Sequence, residues 1–193
     1  GTRMIRSWNI GDVKVPSIVE YFGPTHQPEA TFPEFDRMKF AQQVPQLPGM
    51  HWYPDMDRFV IAIQIWAVFA GSDVIIIDTG VGNGKVRPAA RMHLLNTLVP
   101  SWMLAAGISR ENVTHVVMTH LHSDHIGWNT TYEGDRWMPT FPNARYLVPK
   151  RDFDFFKTLN EAGKAADTSF ADSLVPVLEA GLVDFIEDQK EIA

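Results

Sequence analysis

Six consecutive residues carry the densest chemistry in this chain: His120, Leu121, His122, Ser123, Asp124 and His125. They hold three of the seven histidines in 193 residues, with a carboxylate between the second and third. Imidazole and carboxylate are the donors that select a divalent transition metal such as zinc. Neither side-chain packing nor helix capping asks for this combination. A metal site explains it better than a polar surface loop.

The spacing is chemically meaningful. His120 and His122 are two apart, so in an extended segment they point the same way and can share one ion. Asp124 and His125 follow where the chain begins to turn, so they can face a second ion nearby. Two ions that close would share a water and bring its pKa toward neutrality. The apolar run Val116-Val117-Met118 just before His120 reads as a strand that fixes the first ligand.

The stretch Thr119-His120-Leu121-His122-Ser123-Asp124-His125-Ile126-Gly127-Trp128 resembles the metal motif of the metallo-β-lactamase superfamily. Upstream, Ile75-Ile76-Ile77-Asp78-Thr79-Gly80 is similar to the family's Asp-bearing strand end. Gly80-Val81-Gly82-Asn83, Trp128 and Phe141-Pro142-Asn143-Ala144 resemble the branch of acyl-homoserine lactonases and methyl-parathion-hydrolase-like enzymes. The resemblance implies an α/β layered fold, an αββα sandwich of which this chain carries roughly the first half. It implies two divalent ions, zinc first and manganese, iron or cobalt as alternatives. His120 and His122 would hold one ion, and Asp124 and His125 the other. Asp78 would brace the metal loop from behind. The reaction implied is attack by a metal-bound hydroxide on a lactone or ester, with Asp124 also passing a proton to the leaving group. An organophosphate triester is the second substrate class, and a non-catalytic metal-binding or assembly module is the alternative from another class. Trp128 either walls a substrate pocket or anchors the segment after the motif; the anchor is the favoured reading.

The chain departs from the family pattern in one respect. No histidine follows His125, whereas the family has a further His, a bridging Asp and a last His. Two protein ligands per ion are fewer than the three usual at a catalytic zinc. The remaining ligands are therefore expected beyond Ala193, and one face of the sheet is expected to lie open.

Other motifs are weaker. Gly80-Val81-Gly82-Asn83-Gly84-Lys85 follows a strand but fits neither nucleotide-loop template, and no Ser or Thr follows the Lys. No Gly-x-Ser-x-Gly elbow exists to offer a serine nucleophile. His26, His51, His93 and His115 read as structural or surface residues. Trp102 and Met103 read as core or partner surface rather than as a substrate box.

Hydrophobic residues make up 45% and charged residues 21%, ordinary for a globular domain. There are no cysteines, so disulfides and thiolate sites are excluded. The longest apolar run, Phe59 to Ala70, is interrupted by Gln64 and reads as a strand rather than a membrane span. The first residues do not read as a signal peptide, Met4 reads as the native start, and a cytoplasmic location is expected. The net charge of −6 falls in residues 151–193, with four basic and ten acidic side chains. Without a basic stripe, nucleic-acid binding and the nucleases that share this motif are disfavoured, and a small-molecule substrate is expected instead.

Residues 1–57 read as an arm that packs on the body or on a partner, with a homodimer as one outcome. They open on two strand-like pieces, Trp8–Ile10 and Val13–Val19, and hold seven of the thirteen prolines between Pro16 and Pro54. Residues 58–193 read as the metal-binding body. Arg58–Ala70 and Asp73–Ile77 flank a Gly71-Ser72 hairpin turn. Val74 to Ile77 reads as a strand buried on both faces. The pattern Met92, Leu95, Leu98, Val99 predicts a helix bent at Pro100 and ended at Gly107. A strand is expected over Val113–Met118. Helices are expected around Phe153, Phe156 and Leu159 and around Phe170, Leu174 and Val177, and a last strand over Leu182–Ile186.

Overall fold

The computed structural model describes residues 4–24, 52–53 and 58–187. The chain forms two compact units, one of Gly1–Glu20 with Gln64–Ala193 and one of Tyr21–Ile63. In the second unit, β3 (Trp52–Tyr53) pairs antiparallel with the start of β4 (Arg58–Ala70), Trp52 against Phe59 and Tyr53 against Arg58. Most of the proline-rich arm, with His26, His51 and the homodimer expectation, lies outside the described residues.

The first unit is built on a mixed sheet in the order β1-β2-β4-β5-β6-β9-β10. Strand β1 is Ile5–Ile10 and β2 is Val13–Pro24. They form a hairpin in which Ile10 faces Val13 across Gly11-Asp12. Strand β4 turns into β5 (Asp73–Ile77) the same way, with Ala70 opposite Asp73 across Gly71-Ser72. Both turns have glycine at φ +59° in their first central position, which matches the right-handed twist of the flanking strands. Strands β5, β6 (His115–Val117), β9 (Arg145–Pro149) and β10 (Val183–Ile186) are parallel neighbours. Each parallel step needs a crossover. The crossovers carry α1 (Val99–Ala105), the hairpin β7 (Thr130–Glu133) and β8 (Arg136–Pro139), and α2 (Lys150–Glu161) with α3 (Val175–Glu179).

The pleat separates two faces. Ile65, Ala67, Val74, Ile76, Val116, Tyr146 and Val148 are buried on one face, with Met103, Phe141, Phe153, Phe170, Leu174 and Val177 in the same core. Trp66, Val68, Ile75, Ile77, Val117 and Leu147 alternate with them, are only half-buried, and stay out of that core. Strand β5 is therefore not buried equally on both faces, contrary to its unbroken apolar run. The helices supply core partners to one face alone.

The helix expected from Met92 onward is much shorter. Residues Ala90–Met92 make one 3₁₀ turn, and α1 begins only at Val99. Leu94 sits at φ +50° and donates its N–H to the Lys85 carbonyl at 2.7 Å, and Gly84 donates to Leu95 at 2.8 Å. Those bonds knit residues 83–97 into a loop. Pro100 lies in the first turn of α1, where no amide donor is needed, so it starts the helix instead of bending it. Gly107 at φ +84° ends it, with Ile108 donating back to Met103 at 2.8 Å and Gly107 to Leu104 at 3.0 Å. Before α3 the chain makes a π-helical turn, Phe170–Leu174. Pro176, which has no N–H to donate, follows at once.

Candidate metal centre

The site lies just past the carboxyl ends of β5 and β6, the place where parallel sheets gather ligands. Asp78 follows β5 directly. Its N–H is donated to the Val117 carbonyl at 2.9 Å. Its carboxylate accepts the Thr119 N–H at 2.9 Å and the Thr119 hydroxyl at 2.7 Å, so it holds the first residue of the metal loop. Asp78 has φ +54°, a conformation that Asp and Asn tolerate better than other side chains.

Leu121 and Ile126 anchor the loop in the core, at 2% and 0% exposure. Between those anchors the polar side chains turn outward together. The His120 ring lies 3.7 Å from the His125 ring and 5.0 Å from the His122 ring, centre to centre. His122 sets its edge against Phe156 at 5.7 Å. His125 stands between two carboxylates, with Nδ1 3.0 Å from Asp78 and Nε2 3.5 Å from Asp124.

The electrostatics follow from this crowding. Burial lowers the pKa of His125, but the carboxylates of Asp124 and Asp78 outweigh it and push it up to about 9. His120 is held below its ordinary value by burial and by the neighbouring His125 and His122, which favours the neutral form a ligand needs. Burial opposes ionisation of Asp124, yet His125 beside it keeps its pKa low.

Among the described residues no set of three His, Asp or Glu side chains stands in finished metal-ligand geometry. The donor set nevertheless suits a divalent ion. Three imidazoles and one carboxylate sit together, and Nδ1 of His120 is engaged by Thr119 at 3.0 Å, so that Nε2 is the ring nitrogen left to face a metal among the described residues. The four sequence-designated residues and Asp78 are brought together. Trp128 differs from them: it is buried, donates its indole N–H to Glu20 at 2.7 Å, and lines an apolar cavity of about 310 Å³ with Met103, Leu104, Ile108 and Phe141. A second cavity, of about 250 Å³, opens beside His122 and is lined by Leu121, Phe156, Ala165, Ala166 and Phe170. His115 faces away from the loop, toward Thr114 at 2.9 Å and Asp73 at 4.0 Å. His93 accepts the Arg87 N–H at 3.1 Å.

Backbone pairing ties the loop to the segment after Asp78. Thr79 donates to the His125 carbonyl at 2.8 Å, Gly127 to Gly80 at 2.7 Å and Trp128 to Thr79 at 2.9 Å. A Cβ on Gly127 would fall 1.9 Å from the Val81 carbonyl carbon, so this approach requires glycine.

A chain that pairs an Asp-bearing strand end with a His-x-His-x-Asp-His loop in this way matches the model of the metallo-beta-lactamase superfamily over residues 59–192. The chain belongs to that superfamily. A comparison with curated proteins gave no match. Among solved structures, the hydrolase AbOPH of the β-lactamase superfamily is 18% identical with a TM-score of 0.72, over 100% of this chain and 64% of its own. A "probable metal-dependent hydrolase" from Staphylococcus aureus is 17% identical with a TM-score of 0.69, over 96% of this chain and 63% of its own. AidC, a dizinc quorum-quenching lactonase in complex with a product, is 21% identical with a TM-score of 0.62, over 96% and 62%. These likenesses establish the fold, and the chain spans just under two thirds of each neighbour. No helix among the described residues is long and apolar enough to cross a membrane.

Sequence reasoning missed two features of this superfamily member. One is Glu20, the acid that ends the run Ser17-Ile18-Val19. The other is a buried polar cluster: Lys85 and Arg87 from the loop after β5, Thr130 at the start of β7, and Asp172 and Ser173 from the π-turn. Its sequence signal was a lone Asp172 inside the apolar stripe Phe170, Leu174, Val177.

Proposed function

We propose that the whole protein is a metal-dependent hydrolase of a lactone or ester, with an acyl-homoserine-lactone-like substrate favoured. The observation that carries this reading is the convergence of His120, His122, Asp124 and His125 in front of Asp78. His120 and His122 would hold one divalent ion, zinc first, and Asp124 and His125 a second. Such ions supply a water of lowered pKa and polarise the electrophilic oxygen. The chain's own residues do the rest. Asp78 fixes Thr119 and turns His125 so that its Nε2 faces Asp124. Asp124, ionised beside His125, would take up a proton on a carboxylate oxygen and pass it to the leaving-group oxygen. The cavity at His122 has Phe156 and Phe170 in its wall beside the polar Ser123, Asp167 and Ser169, and its apolar side suits an acyl chain or other apolar substituent. The fold shared with AidC supports a lactone over other esters as the first substrate to try.

The test uses the full-length protein. Metal content is measured, and hydrolysis of acyl-homoserine lactones, aryl esters and phosphotriesters is followed before chelation, after it, and after zinc is restored. Lactone turnover should disappear on chelation and return with zinc. Asp124→Ala should lower turnover by orders of magnitude, and His115→Ala should leave it near the parent value. Turnover that survives complete metal removal, or full turnover in Asp124→Ala, would overturn the mechanism. Turnover of phosphotriesters alone would replace the substrate class. Bound metal with no hydrolysis in any arm would favour the non-catalytic module.

A further inference from the structure

Glu20 is 6% exposed, and its carboxylate accepts three N–H groups. The Val81 amide donates at 2.5 Å, the Gly82 amide at 3.2 Å and the Trp128 indole at 2.7 Å. Val81 and Gly82 belong to the segment after Asp78, and Trp128 follows the metal loop directly. These two segments are the ones laced together through Thr79, Gly80 and Gly127. Gly80 is shaped to this carboxylate: it has φ +62°, and a Cβ there would fall 2.3 Å from Glu20 Oε1. Burying a carboxylate is costly, and three aligned donors are what make it tolerable. Packing alone would be served better by an apolar side chain.

We propose that Glu20 is a positioning residue for the metal loop, a clamp that holds the Asp78 segment and the Trp128 segment in the register that lets His120, His122 and His125 converge. The proposal rests on the metal reading above, and it adds a residue about 100 positions upstream of the motif. Glu20 touches none of the proposed metal ligands and acts through Val81, Gly82 and Trp128.

The test again uses the full-length protein, with zinc alone as the probe. Zinc affinity is measured by competition with a chromogenic chelator for the parent, Glu20→Gln, Trp128→Phe and the double variant. The melting temperature of each metal-free protein is recorded beside it. Loss of a residue that orients metal ligands typically weakens the metal by about 10-fold or more, and each single variant should show that loss while folded. The double variant should lose no more than the more damaging single, because the Trp128 contact is one of the three that depend on the Glu20 carboxylate. A purely structural role would lower the metal-free melting temperature and leave zinc affinity of the folded protein unchanged, and that result would overturn the clamp. Should Glu20→Gln not fold, Trp128→Phe decides by the same criterion, since it keeps the ring and removes only the indole donor. A parent that binds no zinc would overturn the metal reading, and the clamp with it. A parent that binds zinc beside variants of equal affinity would overturn the clamp alone.

Discussion

Asp78 Oδ2 lies 3.0 Å from His125 Nδ1, although the two residues are 47 positions apart. They meet because β5 and β6 are parallel neighbours, with Ile77 opposite Val117, so that both strands end at one edge. The same carboxylate also holds Thr119. One side chain thus braces both ends of the metal loop.

Asp78→Asn tests that role with little backbone cost, because Asn tolerates the positive φ at this position. The amide keeps one acceptor for Thr119 and removes the charge that faces His125. Zinc affinity should fall about 10- to 100-fold, with the circular-dichroism spectrum unchanged. Equal affinity in parent and variant would show that Asp78 does not brace the loop.

Zinc affinity should depend on pH through His125. Its pKa of about 9 in the folded chain means that a proton must leave before the ring can bind metal. Apparent affinity should therefore climb from pH 7 to about 9 and flatten above. Competition titrations at several pH values check this, and a profile already flat at pH 7 contradicts it.

The stability of the metal-free protein carries two opposed pH terms. His125 is raised from 6.5 to about 9, so its contribution is complete below 6.5 and is lost as pH rises through 9. Lys85 is lowered from 10.5 to about 7, chiefly by burial and against the pull of Asp172, so folding gains stability as pH rises from 7 toward 10.5. The two oppose each other between pH 7 and 9. In a Lys85→Met background the His125 term is left unopposed, and denaturant midpoints should fall over that window more steeply than in the parent. Parallel profiles in the two proteins would refute the assignment.

The buried cluster makes a further contrast. Arg87 pairs with both oxygens of Asp172 at 2.7 and 2.9 Å, and Lys85 Nζ reaches Thr130 at 2.5 Å, Ser173 at 3.1 Å and the face of Trp137 at 3.7 Å. Two cations share one carboxylate. Removing the surplus charge with Lys85→Met should be neutral or stabilising at pH 7, because Arg87 and Ser173 still donate to the Asp172 carboxylate. Asp172→Ala leaves the buried Arg87 guanidinium without its carboxylate and should cost about 3–5 kcal/mol. Urea unfolding of the two variants gives the comparison, and equal losses would argue against it.

Gly127→Ala places a methyl carbon where the Val81 carbonyl already is. The two segments must part, at a cost of about 1–3 kcal/mol or more, and the histidines lose their register. Denaturant unfolding and a zinc titration should both report the damage. A variant with parental stability and affinity would mean that the segments do not pack this closely.

The convergence of the donor residues was legible in the sequence because they are local. His120, His122, Asp124 and His125 lie within six residues, and alternation with Leu121 and Ile126 decides which side chains turn outward. The Gly71-Ser72 hairpin was equally legible, because glycine at the first position of a two-residue turn is a local steric requirement. The helix from Met92 was misread, since its apolar spacing competes with bonds to Lys85 and Leu95 that only the folded loop makes. Glu20 was not legible, and the Lys85–Arg87–Asp172 cluster showed only as an Asp inside an apolar stripe. Their partners lie 61 to 108 positions away for Glu20 and 85 to 88 for the cluster's two cations and the π-turn. A buried charge is chemically sensible only beside its partners, and tertiary structure alone decides which partners those are.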